Sequence, residues 1–149
     1  MEKTVFGNYS IQYNSEFIFF VDKNSKNEHL KNFTEKVREK LKSTKGQFVY
    51  VYFFMENSIN ITVMDNVVYI GRSKSFKQKT FERFMHEIYE DNSGNDKAKQ
   101  YTLTHFYNKG IKMRLEVYFV DDCRKIEKEL LRAHKEVFGY LPIANRKEG

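Results

Sequence analysis

The chain has 149 residues, of which 40% are hydrophobic and 16% aromatic, and Phe and Tyr supply all of the aromatic side chains. This composition is enough for one globular domain and excludes a disordered chain. The net charge of +6 favours an anionic partner, nucleic acid first, although a basic surface that is merely solvated fits the charge equally well.

The chain has one cysteine, Cys123, so an internal disulfide and a cysteine-rich zinc site are excluded. We expect this thiol to lie at the surface or half-buried and not to act as a nucleophile. The first ten residues contain no apolar signal-peptide core, and no apolar run is long enough to span a membrane. These features predict a cytoplasmic protein with no membrane partner.

Residues 1–45 predict an N-terminal extension, a β-hairpin and a helix packed on the core. The hairpin covers residues 4–21, with a strand-like run at 17–21 and a turn at Asn14 and Ser15. Residues 25–28 match a capping box, which predicts the start of a helix that ends near residue 42. The apolar residues of this helix recur at helical spacing: Leu30, Phe33, Val37 and Leu41.

Residues 46–149 predict the core. Residues 47–55 are apolar on both strand faces, which is typical of a central strand covered on each side. A turn at Asp65-Asn66 joins β segments at 59–64 and 67–70. Helices follow at 75–91 and 96–108, the second closed by Gly110, and then a strand at 111–120.

The last predicted helix covers residues 124–138, with Asp121-Asp122 at its start and Gly139 at its end. We expect its inward residues to be Ile126, Leu130, Ala133 and Val137. The whole pattern predicts a single α+β domain, in which a small antiparallel or mixed central sheet is flanked by helices.

Several polar residues stand where they could carry chemistry. Tyr69-Ile70-Gly71 ends a strand, and the cations Arg72, Lys74 and Lys77 come directly after it. A glycine there lets a ligand approach the backbone, and the cations would attract a phosphate. Further along the chain, the polar candidates are Lys79, Arg83 and His86 on one side of the second helix, Glu127 in the last helix, and Asn145 in the tail.

Each of these residues alone is more often structural. A strand tyrosine usually packs, and a cationic helix face is usually solvated. A carboxylate near a helix start is ordinarily a dipole partner, and an asparagine in a turn can bond its own backbone.

In combination, their order and spacing resemble the GIY-YIG nuclease superfamily. Tyr69-Ile70-Gly71 matches that family's second motif literally, and Phe48-Val49-Tyr50 stands where the first belongs. Residues 83–86 resemble its Arg–His helix, residues 127–131 its glutamate helix, and residues 142–145 its closing proline turn. The resemblance covers residues 46–146 and looks most like the small phage and restriction-type members. Residues 1–45 have no counterpart.

The resemblance implies a DNA endonuclease that hydrolyses phosphodiester bonds with one Mg²⁺ or Mn²⁺ held by Glu127. Tyr50 or Tyr69 would be the base that takes a proton from water. Arg83, assisted by Lys79, would hold the phosphate, since guanidinium is the better bidentate clamp. His86 and Asn145 would position their neighbours. The residues expected to contact DNA are Gly71, Arg72, Lys74, Lys77 and Lys99. Cleavage of both strands would suit a homo-oligomer.

Three departures leave alternatives open. The glycine of the first motif is absent in this register, and a register starting at Gly46 would put Phe48 where a hydroxyl is needed. Ungapped counting from the second motif places the family's arginine on Lys79 and not on Arg83. Glu129 is an alternative metal carboxylate. Two other functions fit the composition: a non-catalytic nucleic-acid-binding module on the same fold, and an interaction protein whose partner surface is residues 1–45.

Overall fold

A computed structural model describes residues 1–6, 9–21, 26–55, 66–76, 109 and 112–145. Within these residues the chain forms strands and two helices, which confirms the α+β class. In chain order the elements are β1 (Glu2–Val5), β2 (Tyr9–Gln12), β3 (Ser15–Val21), α1 (Lys26–Leu41), β4 (Phe48–Phe54), β5 (Val67–Ser73), β6 (Met113–Phe119) and α2 (Cys123–Phe138).

The strands form two antiparallel sheets. β1 and β2 make a two-stranded hairpin, and the other strands make a four-stranded sheet in the order β3-β6-β4-β5. β4 therefore lies between β6 and β5, as its two apolar faces predicted. Six of its seven residues are buried, because each face of the strand is covered by a different layer.

One face of the sheet packs against α1. Phe48, Tyr50 and Tyr52 of β4 lie on this face, in one buried cluster with Phe33, Val37 and Leu41 of α1. We call this cluster the α1-side core. The helical spacing of the three α1 residues turns them toward the sheet, and burying each such side chain contributes about 1.5–3 kcal/mol.

The opposite face packs against α2 and the N-terminal hairpin. Val49, Val51 and Phe53 of β4 form a second buried cluster with apolar residues of α2 and of the hairpin. We call it the α2-side core. Its α2 members are Cys123, Leu130 and Leu131, and its hairpin members are Val5 and Ile11.

The ends of α2 are formed by the predicted caps. The Asp122 side chain accepts a hydrogen bond from the Lys125 backbone N–H at 3.1 Å. Gly139 adopts a left-handed φ of 85°, and its N–H donates to the Lys135 carbonyl at 2.8 Å. Such caps satisfy backbone groups that have no partner inside the helix.

Two expectations for α2 were wrong. Val137 is exposed and His134 is buried, because the last two turns of the helix place His134 and Phe138, and not Val137, against Phe6 of the hairpin. Cys123 is also buried, because it begins the helix on the face that packs against β4. Burial raises the pKa of its thiol, which disfavours the thiolate.

The predicted hairpin turn at Asn14 and Ser15 was wrong as well. β2 ends at Gln12, and the chain then leaves the hairpin and enters the four-stranded sheet, where Ser15 lies opposite Phe119. The Asn14 N–H donates to the Phe119 carbonyl at 2.8 Å. The apolar β3 residues gain more by joining the core than by pairing locally. The predicted β segment at 59–64, the helix at 96–108 and Gly110 lie outside the described residues, as does the helix predicted at 75–91 from residue 77 onward.

Candidate functional site

Gly71 and Tyr50 lie directly opposite each other on β5 and β4. A Cβ atom added to Gly71 would be 2.5 Å from Tyr50 Cζ and 2.6 Å from its hydroxyl oxygen. The tyrosine ring therefore crosses over the glycine, and no larger residue fits beneath it. Glycine at this position is explained by a side chain from the neighbouring strand.

Tyr50 and Tyr69 lie together on the α1 face. Their ring centroids are 6.1 Å apart, and Tyr69 lies opposite Tyr52 on β4. Tyr50 is only 2% exposed, whereas Tyr69 is half-buried at the margin of the α1-side core. Of the two phenols, that of Tyr69 is therefore the more accessible to water.

Arg72 and Glu127 form an ion pair between β5 and α2, with Arg72 Nη1 2.6 Å from Glu127 Oε1. Glu127 is 8% exposed, and Arg72 is half-exposed. Burial raises the pKa of the Glu127 carboxyl, and the guanidinium offsets this only in part. The helix thus carries a carboxylate that is kept charged mainly by one cation.

Asn145 binds the backbone of Ile70 with both ends of its amide. Its Oδ1 accepts from the Ile70 N–H and its Nδ2 donates to the Ile70 carbonyl, each at 2.9 Å. Next to it, the Ala144 N–H donates to the Val68 carbonyl at 2.9 Å. Residues 144–145 therefore cover the outer edge of β5, and Asn145 pairs with the strand rather than with its own backbone.

Residues from separate parts of the chain thus meet at residues 69–72 of β5. Tyr50 and Tyr69 lie on the α1 face, whereas Arg72 lies opposite Val49 on the α2 face, where it meets Glu127. Asn145 lies at the edge between the two faces. The structure brings the tyrosines together and brings Arg72 to Glu127, but it places the two pairs on opposite faces of an edge strand.

The remaining predicted site residues are only partly described. Lys74 is exposed just after β5. The others lie outside the described residues: Lys77, Lys79, Arg83, His86 and Lys99.

Glu127 fits one kind of metal site. Within the described residues, no three His, Cys, Asp or Glu side chains lie together as a metal-binding group. The described residues therefore do not form a metal site made entirely of protein ligands. A single carboxylate fits Mg²⁺, which usually keeps several waters and is bound by one or two carboxylates together with substrate phosphates.

Glu129 has a different environment. Its carboxylate accepts a hydrogen bond from the Tyr9 hydroxyl of the hairpin, and burial together with this contact raises the pKa of that tyrosine. Glu129 therefore ties α2 to β2. Glu129 thus contacts the hairpin, whereas Glu127 contacts Arg72 of β5.

Sequence reasoning missed a buried polar cluster around Glu116 of β6. This carboxylate accepts hydrogen bonds from Lys3 Nζ at 2.7 Å, from Arg114 Nε and from the Tyr118 hydroxyl. Burial acts to raise the pKa of Glu116, but the hydrogen bonds outweigh it and the pKa is lowered. Lys3 also binds Glu16 at 3.0 Å, so the cluster joins β1, β3 and β6. The available signal was a pair of opposite charges two residues apart, Arg114 and Glu116, inside an otherwise apolar strand.

No protein-family model, curated protein or solved structure matches the chain. Neither described helix has the length and apolar character needed to cross a membrane. Function has to be inferred from the residues themselves and from their geometry.

Proposed function

We propose that the protein is a metal-dependent endonuclease that hydrolyses phosphodiester bonds in DNA. One observation supports this most directly: Tyr50, Glu127 and Asn145, which are far apart in sequence, all contact residues 69–72 of β5. These three are among the residues on which the GIY-YIG resemblance depends. The net charge of +6 suits a polyanionic substrate.

Packing alone does not require Glu127. A buried ion pair is generally no more stabilising than apolar side chains of similar volume, and removing one partner leaves a costly charge. The neighbouring inward residues of α2 are apolar, as the helix needs. A buried carboxylate with a raised pKa and the half-exposed Arg72 beside it is a candidate for chemistry.

We assign the base to Tyr69 and a positioning role to Tyr50. The half-buried Tyr69 side chain can reach water, while Tyr50 lies under cover with its ring against Gly71 and beside Tyr69. A free phenol has a pKa of about 10, so a base at neutral pH needs cations near it. Arg83 and Lys79 are the proposed phosphate clamp, and His86 the residue that positions it.

The proposed roles of Glu127, Arg72 and Asn145 follow from their contacts. Glu127 would hold Mg²⁺, which when bound supplies positive charge beside the leaving oxygen. Arg72 now neutralises that carboxylate, and because it is half-exposed it can turn to a DNA phosphate instead. Asn145 has both amide groups committed to Ile70, so it holds the tail on β5 and does not touch substrate.

The second candidate is a nucleic-acid-binding module without catalysis. The observation that favours it is the Arg72–Glu127 ion pair itself, because a carboxylate satisfied by a guanidinium has less need of a metal. The separation of the tyrosines and Glu127 onto opposite faces of β5 favours it too. Both functions predict binding that weakens steeply with salt.

Supercoiled plasmid incubated with the protein and Mg²⁺ or Mn²⁺ separates the two functions. The endonuclease nicks the plasmid, and Glu127→Gln abolishes nicking while leaving DNA binding nearly unchanged, because the carboxylate holds the metal and not the phosphate. Glu136→Gln is the matched control, since it removes an exposed carboxylate from the same helix. Binding without metal-dependent nicking across several DNA substrates, or nicking by Glu127→Gln within a few-fold of wild type, would contradict the proposal.

A further inference from the structure

The two outer strands of the four-stranded sheet differ in how their edges are covered. β5 is covered by residues 144–145, through the Ala144 backbone and the Asn145 side chain. β3 pairs with β6 along all seven of its residues, and among the described strands nothing pairs with its other edge. An edge of this kind presents a row of backbone donors and acceptors to any strand that approaches.

The sequence of β3 has few of the usual protections of an edge strand. Its seven residues, SEFIFFV, include no proline, glycine or lysine. Ile18 is 45% exposed and Phe20 is 59% exposed, and residues two apart lie on the same face of a strand. Its one charged residue, Glu16, is neutralised by Lys3 at 3.0 Å. Within the described part of the chain, an apolar strand therefore lies at an edge that no other strand covers, without a net charge to repel another copy.

We propose that β3 pairs with β3 of a second copy, antiparallel about a two-fold axis, and so forms a homodimer. An antiparallel strand is complementary to itself under such an axis. In the proposed register Phe19 lies opposite Phe19 of the second copy. Ile18 of each chain then faces Phe20 of the other, so the interface contains two such pairs. Aromatic–β-branched pairs of this kind stabilise antiparallel sheets. The two four-stranded sheets then join into one continuous sheet of eight strands.

The rest of the N-terminal extension holds β3 in position for this pairing. α1 packs over the strand, where Phe19 and Phe33 share the α1-side core. Lys3 of β1 ties Glu16 of β3 to Glu116 of β6. The dimer thereby gives a role to residues 1–45, and it does not depend on the proposed nuclease activity.

Sedimentation of the full-length protein over a wide concentration range tests the dimer. A short interface with two apolar pairs lies at the small end of specific interfaces, so we expect dissociation in the range of about 1–100 µM. Phe20→Lys should raise the dissociation constant by about tenfold or more, equivalent to about 1.4 kcal/mol. Ile143→Lys, which changes a side chain that is 61% exposed outside β3, should leave it unchanged. Circular dichroism confirms that each variant is folded.

Disulfide cross-linking tests the register. When chains carrying Ile18→Cys are mixed with chains carrying Phe20→Cys, cross-links should form faster than in either variant alone, because these two residues face each other across the axis. The buried Cys123 takes no part. A chain that sediments as a monomer throughout, a dimer insensitive to Phe20→Lys, or cross-linking no faster in the mixture would overturn the proposal.

Discussion

Gly71→Ala should destabilise the protein because its new methyl group collides with Tyr50. The added Cβ would lie 2.5 Å from Tyr50 Cζ, where ordinary carbon contacts are about 3.5–4.0 Å. The ring cannot simply swing away, since Tyr50 is 2% exposed and lies in the α1-side core beside Phe48 and Tyr52. Either the ring or β5 must move by about 1 Å.

The expected loss in the free energy of unfolding is the cost of overpacking the core minus the gain from replacing a glycine. Overpacking by one methyl group costs about 1–3 kcal/mol in a well-packed core. Replacing glycine with alanine inside a strand stabilises the folded state by about 0.5–1 kcal/mol. This gain applies here because Gly71 is not in a left-handed conformation. The net loss therefore has a midpoint of about 1.3 kcal/mol in a range of about 0–2.5 kcal/mol, and the midpoint corresponds to a decrease of about 3–5 °C in Tm for a chain of this length.

Urea denaturation of four proteins tests this reasoning: wild type, Gly71→Ala, Tyr50→Leu and the double variant. Leucine has no atoms at the positions of the tyrosine Cζ and hydroxyl, so Gly71→Ala should cost little in the Tyr50→Leu background. Gly139→Ala, at a residue with φ of 85° and no atom within 4 Å of the added Cβ, is the control, and its cost should be equal in both backgrounds. Costs of Gly71→Ala that agree within about 0.5 kcal/mol in the two backgrounds would refute the collision.

Three further predictions concern single side chains. Asn145→Ala should lower the free energy of unfolding by about 1–3 kcal/mol, since it leaves backbone groups of β5 without their partner; urea midpoints equal to wild type would contradict this. The pKa of Glu116 is lowered in the folded state, so its stabilising contribution is present above its unfolded pKa and is lost as the pH falls through the folded one. Urea midpoints in Glu116→Gln should therefore fall less with acid than in wild type, and parallel acid profiles would rule this out. Tyr69→Phe should cleave DNA roughly a hundredfold more slowly with stability changed by about 1 kcal/mol or less, and should lose more rate than Tyr50→Phe; wild-type rates in both would end the tyrosine mechanism.

Local sequence patterns predicted the elements that are determined by residues close together in the chain. The apolar spacing of α1 and the Asp122 and Gly139 caps of α2 depend on residues a few positions apart, and the structure has them where they were expected. The central position of β4 followed from its two apolar faces, since a strand that is apolar on both faces is typically covered on each side.

The expectations that failed depended on where elements pack. Whether Asn14 turns a hairpin or leads β3 into the larger sheet depends on the distant β6. Val137 continues the apolar stripe of α2, but its exposure depends on which side of the helix packs against the sheet and the hairpin. Cys123 is buried for the same reason, since the face that packs against β4 includes it.

The sequence alone predicted the α+β class, the caps, the central strand and the set of candidate residues. Each of these depends on periodicity, on neighbouring residues or on a motif. Only the tertiary structure decided what those residues contact. Gly71 is a glycine because of Tyr50, Glu127 is paired with Arg72, and both amide groups of Asn145 are bound to β5. Contacts between residues so far apart in the chain depend on strand register and helix packing, which no local pattern specifies.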